Sequence, residues 1–283
     1  MASVREIRTK IKGIKSVTQV TRTMKLVSSV KFAKAQSAVA NARPFARGIE
    51  DLVKHIACGC DHPFFELRDN GKTGILLVTA DRGLCGSFNV NLAKKCMEFV
   101  QQRYKEQFVF CAAGRKGRDY LLRQEKKLRN EYTGIFRNLK YTDAEKIADE
   151  LINTFMSGDV SSVWAVYSEF EGAGRQREVV TRLLPVEREK QEKTAQTVEE
   201  IFEPAKELLF DALLRRYFRA KIFRILLESS ASEQYARMTA MDMATKNANE
   251  IIDDLTLEMN KLRQMNITKE LSEIIGAAEA LNK

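Results

Sequence analysis

Near the N-terminus the apolar residues fall at Ile7, Ile11, Ile14, Val17, Val20, Met24, Val27 and Val30, spaced by three and four. That spacing predicts one long amphipathic helix. The stripe advances 23 positions in seven steps, a mean of about 3.3 against the 3.6 of a straight helix. It therefore drifts around the helix, and a partner that follows it winds left-handedly. The other faces carry Arg5, Arg8, Lys10, Lys12, Lys15, Arg22, Lys25, Lys31 and Lys34 against the single acid Glu6. Pro44 and Gly48 are expected to kink or end the run.

The C-terminal part has neither proline nor glycine between Pro204 and Gly276, and is rich in Leu, Ala, Met, Arg, Lys and Glu. Met238, Thr245, Ile252 and Met259 repeat every seven residues, and Met241, Ala248, Leu255 and Leu262 repeat three places on. This is the a/d seam of a coiled coil, and it needs a partner.

Between these arms the period changes. "GILLVTA" and "QFVFCAAG" read as strands, "NVNLAKKCMEFVQQRYKE" and "DAEKIADELINTFMS" as helices, and "SSVWAVYSEF" with "REVVTRLLPV" as a hairpin turned at Gly172 and Gly174. The polar stretch Gln191 to Glu200 reads as a linker. The predicted class is α/β, with a small, mostly parallel sheet domain inserted between two long terminal helices that pair as an antiparallel coiled coil. The expected divisions are an N-terminal shaft helix at 1–57, the α/β domain at 70–190 and a C-terminal helix at 205–283.

Composition narrows the partners rather than the fold. A chain of 283 residues with 44% hydrophobic and 30% charged residues can bury a core. Its net charge of +9 points to an acidic partner, whether nucleic acid, an anionic membrane surface or an acidic protein face. Five cysteines, Cys58, Cys60, Cys85, Cys96 and Cys111, lie in the first half with no CxxC pairs, which argues against a disulfide scaffold and suits a reducing compartment. "CGC" at 58–60 lacks a second ligand pair, and His55 and His62 are too few to complete a metal set. No apolar window is long enough to span a bilayer, and the basic N-terminus lacks the apolar block of a secretion signal.

Candidate chemistry gathers in "TADRGLCGSFN", Thr79 to Asn89, at the end of a predicted strand. Asp81, Arg82, Cys85 and Ser87 suggest a phosphate cradle or a nucleophile turn. A nucleophilic Cys85 or Ser87 needs a base, and no motif links either to the histidines. Asp81 with Arg82 reads better as a turn-stabilising ion pair or N-cap arrangement, and Gly83 and Gly86 as the residues that shape the turn. "NGKTG" at 70–74 carries the tail of a phosphate loop but precedes a strand, so it reads as a turn. "AAGRKGRDYL" places Gly114 and Gly117 after a strand, where a helix start could receive a phosphate or simply turn the chain. The basic helix has only Phe32 and Phe45 as stacking residues and no nucleic-acid module. The residues alone leave a basic coiled-coil protein, binding nucleic acid or an anionic membrane surface, as the alternative reading.

Four stretches together resemble the gamma subunit family of F-type ATP synthase: "IRTKIKGIKSVTQVTRTMKLVSSVKFAKAQ", "TADRGLCGSFN", "SEQYARMTAMDMATKNA" and "ITKELSEIIGAAEAL". The resemblance implies a non-catalytic rotor shaft without a cofactor, turning inside a ring of three alpha and three beta subunits that carry the nucleotides. It implies a foot beside the epsilon subunit and the membrane c-ring, no nucleic-acid partner, and a place on the cytoplasmic face of a bacterial inner membrane. By matching position, Met24 and Lys25 are expected to meet the beta lever loops, and Arg237, Gln264 and Thr268 to make polar contacts with the ring. Phe202, Glu203 and Pro204 match the part of the foot that meets epsilon and the c-ring, while Asp81, Arg82, Gly83, Cys85 and Gly86 fall in a structural turn. Ser87 stands where the family often has glycine, and Ala80 where it often has serine. The dithiol-bearing insertion of the chloroplast form is absent, so light-linked thiol control is not expected.

Overall fold

A computed structural model describes residues 3–56, 62–68, 71–103, 106–172, 175–186 and 206–281. In chain order its elements are α1 (Val4–Ile56), β1 (Lys72–Val78), α2 (Phe88–Gln102), β2 (Phe108–Ala113), α3 (Arg115–Arg123), β3 (Leu128–Tyr132), α4 (Tyr141–Met156), β4 (Val160–Gly172), β5 (Arg175–Leu184) and α5 (Lys206–Leu281). They form two compact units, one of residues 1–28 with 237–283 and one of residues 29–236. The "CGC" stretch, Asn70, the Gln191–Glu200 linker and Phe202, Glu203 and Pro204 lie outside the described residues.

The α/β unit is organised by β1. Its Ile75, Leu76, Leu77 and Val78 are all fully buried, because a strand covered on both faces must be apolar throughout. Ile75 and Leu77 meet α2 and Leu121 of α3. Leu76 and Val78 meet α4, the Phe210–Leu226 stretch of α5, and Ile49 and Val53 of α1. The strand order is β3-β2-β1-β4-β5, with β1 parallel to β2 and β4, β2 parallel to β3, and only β5 antiparallel. Chain connections leave β1 through α2 and α3 towards one edge, and α4 brings the chain back to β4 on its other side. The C-terminal ends of β1 and β4 therefore flank a topological switch point, where open α/β sheets commonly bind ligands.

Two features differ from the sequence reading. Strand β3, "LRNEY", has no apolar alternation, and it forms because it needs only one neighbour, β2, at the sheet edge. Pro44 does not end α1, which runs on to Ile56. Its position is exposed, so the carbonyl it leaves without an amide donor can be met by water.

In the helix-pair unit, α1 and α5 run antiparallel, with Thr21 against Thr245 and Lys25 against Asp242. On α5 the heptad seam lies where the sequence puts it: Met238, Met241, Thr245, Ala248, Ile252, Leu255, Met259 and Leu262 are all buried or half-buried. On α1 the inward positions are Ile7, Ile11, Ile14, Thr18, Thr21, Lys25 and Ser28, a regular alternation of four and three. The apolar stripe and this seam part company after Ile14. Val17, Val20, Val27 and Val30 are 55%, 58%, 50% and 72% exposed, since a stripe of shorter period rotates away from a 3.5-residue seam. Leu262 closes the seam, and every described side chain from Arg263 to Ala277 is exposed.

A band of buried polar groups on α5 includes Glu228 and Ser232, and the Ser232 hydroxyl donates to the Ser168 carbonyl of β4 at 3.4 Å. Glu228 is 3% exposed, its Oε1 lies 3.8 Å from Arg224 Nε, and its Oε2 has no hydrogen-bond partner. Burial pushes its pKa up, more than Arg224 pulls it down. A carboxyl raised on folding stabilises the fold below its unfolded pKa of about 4.3, and that contribution is lost as pH rises through the folded value. Glu228→Gln should therefore be more stable than the parent at alkaline pH, with the gap closing towards acid. Thermal melts across pH check this, and a variant less stable than the parent at alkaline pH would contradict it.

Candidate functional site: a helix pair and a capped turn

The turn after β1 puts its polar groups to use within its own unit. Helix α3 begins with amides that no earlier turn of helix can satisfy. Three of them find acceptors in the segment Thr79–Ala80–Asp81. The Arg115 amide donates to Asp81 Oδ1 at 3.1 Å, the Lys116 amide to the Ala80 carbonyl at 3.1 Å, and the Gly117 amide to Thr79 Oγ1 at 2.7 Å. Asp81 Oδ1 also accepts from the Gly134 amide, 2.9 Å away beyond β3. Asp81 is thus a cap, as one reading of the sequence has it, and the helix it caps is α3. The arrangement needs close approach. Gly114 has φ +104°, and a Cβ there would sit against the Thr79 carbonyl oxygen, while a Cβ on Gly117 would lie 2.7 Å from Thr79 Oγ1.

These capping bonds decide the phosphate question. A phosphate at the GxxG helix start would need amides that Thr79, Ala80 and Asp81 already hold. The second half of the turn is equally occupied. Asn89 Oδ1 accepts from the Ala80 amide at 2.9 Å and its Nδ2 donates to Cys85 Sγ at 3.1 Å. The left-handed residues here are Leu84 (φ 61°) and Gly86 (φ 57°), so of the two glycines named from sequence only Gly86 supplies a positive φ. Gly83 is half-buried and Arg82 exposed.

Cys85 is 1% exposed and packs with α2 on one face of the sheet. His62 meets Phe64 and Phe210 edge to face, and both belong to the opposite face. His62 Nδ1 accepts from the Phe64 amide, which leaves Nε2 to donate to Asp211 Oδ1 at 3.2 Å. The Cys85 thiol and the His62 imidazole are separated by the sheet, so this nucleophile and this base do not meet. Burial pushes Cys96 up to about 12 and Cys111 up to about 11, which holds both as inert thiols. No group of three or more His, Cys, Asp or Glu able to hold a metal occurs among the described residues.

The helix pair places the remaining candidates. Met24 is half-buried at the rim of the seam. Lys25 Nζ donates to Asp242 Oδ1 at 2.6 Å, and Lys246 Nζ stands 3.5 Å from Oδ2. The hydrogen bond from Lys25 holds the Asp242 carboxyl below its usual range. Arg237 is 8% exposed, so little of it is left for a partner. Gln264 and Thr268 lie one turn apart on the exposed end of α5, among Met265, Ile267, Leu271, Ile274 and Ile275, all 49% to 65% exposed. Sequence reasoning missed Asp242, Thr79 and Asn89. The signal for Asp242 was available, since Lys25 lies seven residues beyond Thr18 and fourteen beyond Ile11, and so in the seam.

Known proteins give this geometry a context. A family profile described as ATP synthase matches residues 3–281. The chain is 42% identical to the ATP synthase gamma chain of Pelotomaculum thermopropionicum over 99% of its length and 100% of the relative's. It is 43% identical, with the same coverage, to that of Desulforamulus reducens. Among solved structures, a Euglena gracilis mitochondrial ATP synthase chain superposes with TM-score 0.69 at 18% identity, covering 98% of this chain and 94% of that one. A Tetrahymena thermophila central-stalk chain gives 0.63 at 24% identity, covering 80% and 99%.

Asp81→Ala should leave two amides without their acceptor and destabilise the α/β unit by about 2–3 kcal/mol, whereas Asp81→Asn, which keeps Oδ1, should cost less than half of that. Denaturant unfolding of the three proteins measures the difference, and equal losses would count against capping by Oδ1. Gly114→Ala should be the most damaging small substitution in the turn, costing about 3 kcal/mol or more, because strain and a backbone clash act together. Soluble yield and melting temperature report it, and a fully stable variant would contradict the close packing.

Proposed function

The chain belongs to the ATP synthase gamma-chain family, and on that premise we propose how its described residues are used. It is the rotor subunit of the F-type complex, coupling c-ring rotation to ATP synthesis or hydrolysis in the alpha/beta ring, and is itself non-catalytic. Its partners are the alpha and beta subunits, epsilon and the c-ring.

Residues 1–57 and 205–283 serve as the shaft helices and 70–190 as the foot. The observation that carries this assignment is the outward surface of the helix pair. Val17, Val20, Leu26 and Val27 on α1, and Met265, Ile267, Leu271, Ile274 and Ile275 on α5, leave apolar area uncovered along helices whose own seam is already filled. Surface of that kind calls for a sleeve. Arg5, Arg8, Lys10, Lys12, Lys15 and Arg22, all exposed, make the same helix basic. Many exposed charges of about 0–1 kcal/mol each, facing an acidic wall, give a guide without deep traps.

Met24, Gln264 and Thr268 are the residues assigned to touch the ring, with Arg237 supporting them from a buried position. Lys25 stands apart, because Asp242 already holds its ammonium. Phe202, Glu203 and Pro204 are assigned to the epsilon and c-ring contact on resemblance. The turn bearing Asp81, Arg82, Gly83, Cys85 and Gly86 is assigned a structural role, supported by its internal hydrogen bonds. A single chain inside a three-fold ring meets each copy through different contacts, and those differences can shift each beta subunit's conformational equilibrium.

The complex sits at the membrane, and no described helix is long and apolar enough to cross it. We assign the cytoplasmic face of a bacterial inner membrane. Nothing favours the alternative of a nucleic-acid or lipid-surface binder. The purified chain should not hydrolyse ATP, and added to alpha and beta subunits it should confer cooperative ATPase activity. Turnover by the chain alone, or no effect on the ring, would contradict the assignment.

A further inference from the structure

The seam of the helix pair changes character along its length. Towards the start of α1, Ile7, Ile11 and Ile14 make it apolar, and opposite them α5 presents Ile252, Leu255, Met259 and Leu262. Further along, two consecutive layers are polar. Thr21 Oγ1 lies 2.8 Å from Thr245 Oγ1, and Lys25 Nζ lies 2.6 Å from Asp242 Oδ1. Thr21 also donates to the Thr18 carbonyl at 3.0 Å, and Thr245 to the Met241 carbonyl at 2.8 Å. Two hydroxyl protons serve three contacts, so a helix-backbone bond is relinquished whenever the threonines bond each other. Lys25 and Asp242 are partly exposed, at 42% and 34% of their side chains, so Coulomb attraction alone gives them little stability.

Their contribution is selectivity. A seam of methionine, alanine and isoleucine tolerates a shift of one heptad, because flexible and small apolar side chains repack at low cost. The polar layers do not tolerate it. Sliding α5 by seven residues in one direction puts Ile252 opposite Thr21 and Asn249 opposite Lys25. The other direction puts Met238 opposite Thr21 and Tyr235 opposite Lys25. A four-residue slip brings Lys246 to face Lys25. Of these four alignments, only the observed one pairs hydroxyl with hydroxyl and ammonium with carboxylate. A polar residue inside a coiled-coil seam is the best-attested means of fixing register.

We propose that Thr21–Thr245 and Lys25–Asp242 form a two-layer polar pin that fixes the axial register of α1 against α5, with Lys25 acting as a positioning residue inside the shaft rather than as a direct contact to the ring. The proposal rests on the rotor reading only for its functional consequence, since the register can be read on the chain itself. Asp242 is the group that Lys25 positions against, and Lys246 is a secondary one.

The test introduces cysteine pairs across the seam. Ile14→Cys with Ile252→Cys reports the observed register, and Ile14→Cys with Met259→Cys reports a one-heptad slip. Mild oxidation followed by mass mapping gives both yields, on the full chain and on the chain assembled with alpha and beta subunits. The otherwise unaltered chain should cross-link at the first pair. Lys25→Asp, which sets carboxylate against carboxylate, should lower that yield roughly fivefold and raise the second. Adding Asp242→Lys should restore the first pair and, in the complete complex with its c-ring in sealed vesicles, the ATP-driven proton pumping per ATP hydrolysed that Lys25→Asp lowers. The pin is overturned if Lys25→Asp leaves the cross-linking pattern unchanged. It is equally overturned if pumping falls while the register holds and the double exchange fails to rescue it, because that result assigns Lys25 to the ring. Failure of the rotor reading is a different result: normal register with no effect of any variant on ring ATPase.

Discussion

The antiparallel contact between the two ends of the chain is the constraint on which the rest depends. A helix of 76 residues without an internal proline carries a heptad seam that is unstable in water unless something covers it, and the N-terminal helix covers it as far as Leu262. Once the seam is spent inward, whatever apolar surface remains must face outward. That is why Val17, Val20 and Val27 are exposed, and why every described α5 side chain beyond Leu262 is exposed. The surface that a sleeve of partner subunits would cover is therefore a by-product of the period at which the helices pair. The two functions of the stripe, self-pairing and presentation, separate after Ile14 because 3.3 and 3.5 do not match.

The α/β unit makes the opposite choice at a place where similar folds bind ligands. Its switch point lies at the C-terminal end of β1, and Thr79, Ala80 and Asp81 occupy the amides that a phosphate would use. Asn89 binds both the Ala80 amide and the Cys85 sulfur, which holds the second half of the turn. Residue types that suggest catalysis in a sequence are here consumed in holding a strand end, a helix start and a turn together. Fold resemblance alone would have suggested a binding crevice, and the local hydrogen bonds argue otherwise.

Much of this was legible in the sequence, for reasons that differ by element. The buried strand β1 and the α5 seam are strongly periodic, so their existence and type follow from pattern. Strand β3 was not legible, because an edge strand with one neighbour needs no apolar alternation. The α1 seam is not legible from hydrophobicity, because after Ile14 it is Thr18, Thr21, Lys25 and Ser28 that face α5 while the valines face out. Asp81 was recognisable as a cap, but not the helix it caps, since Arg115 and Gly134 lie 34 and 53 residues away. Long-range hydrogen bonds of this kind leave no local signature.

The central claim is that this chain turns as a shaft, and the most direct measurement watches it turn. With the alpha/beta ring fixed to a surface and a bead attached to the α/β unit, ATP should drive one-way rotation of the bead in three equal steps per revolution, one for each catalytic site. A bead that only fluctuates about a fixed angle while the ring beneath it hydrolyses ATP would contradict the account.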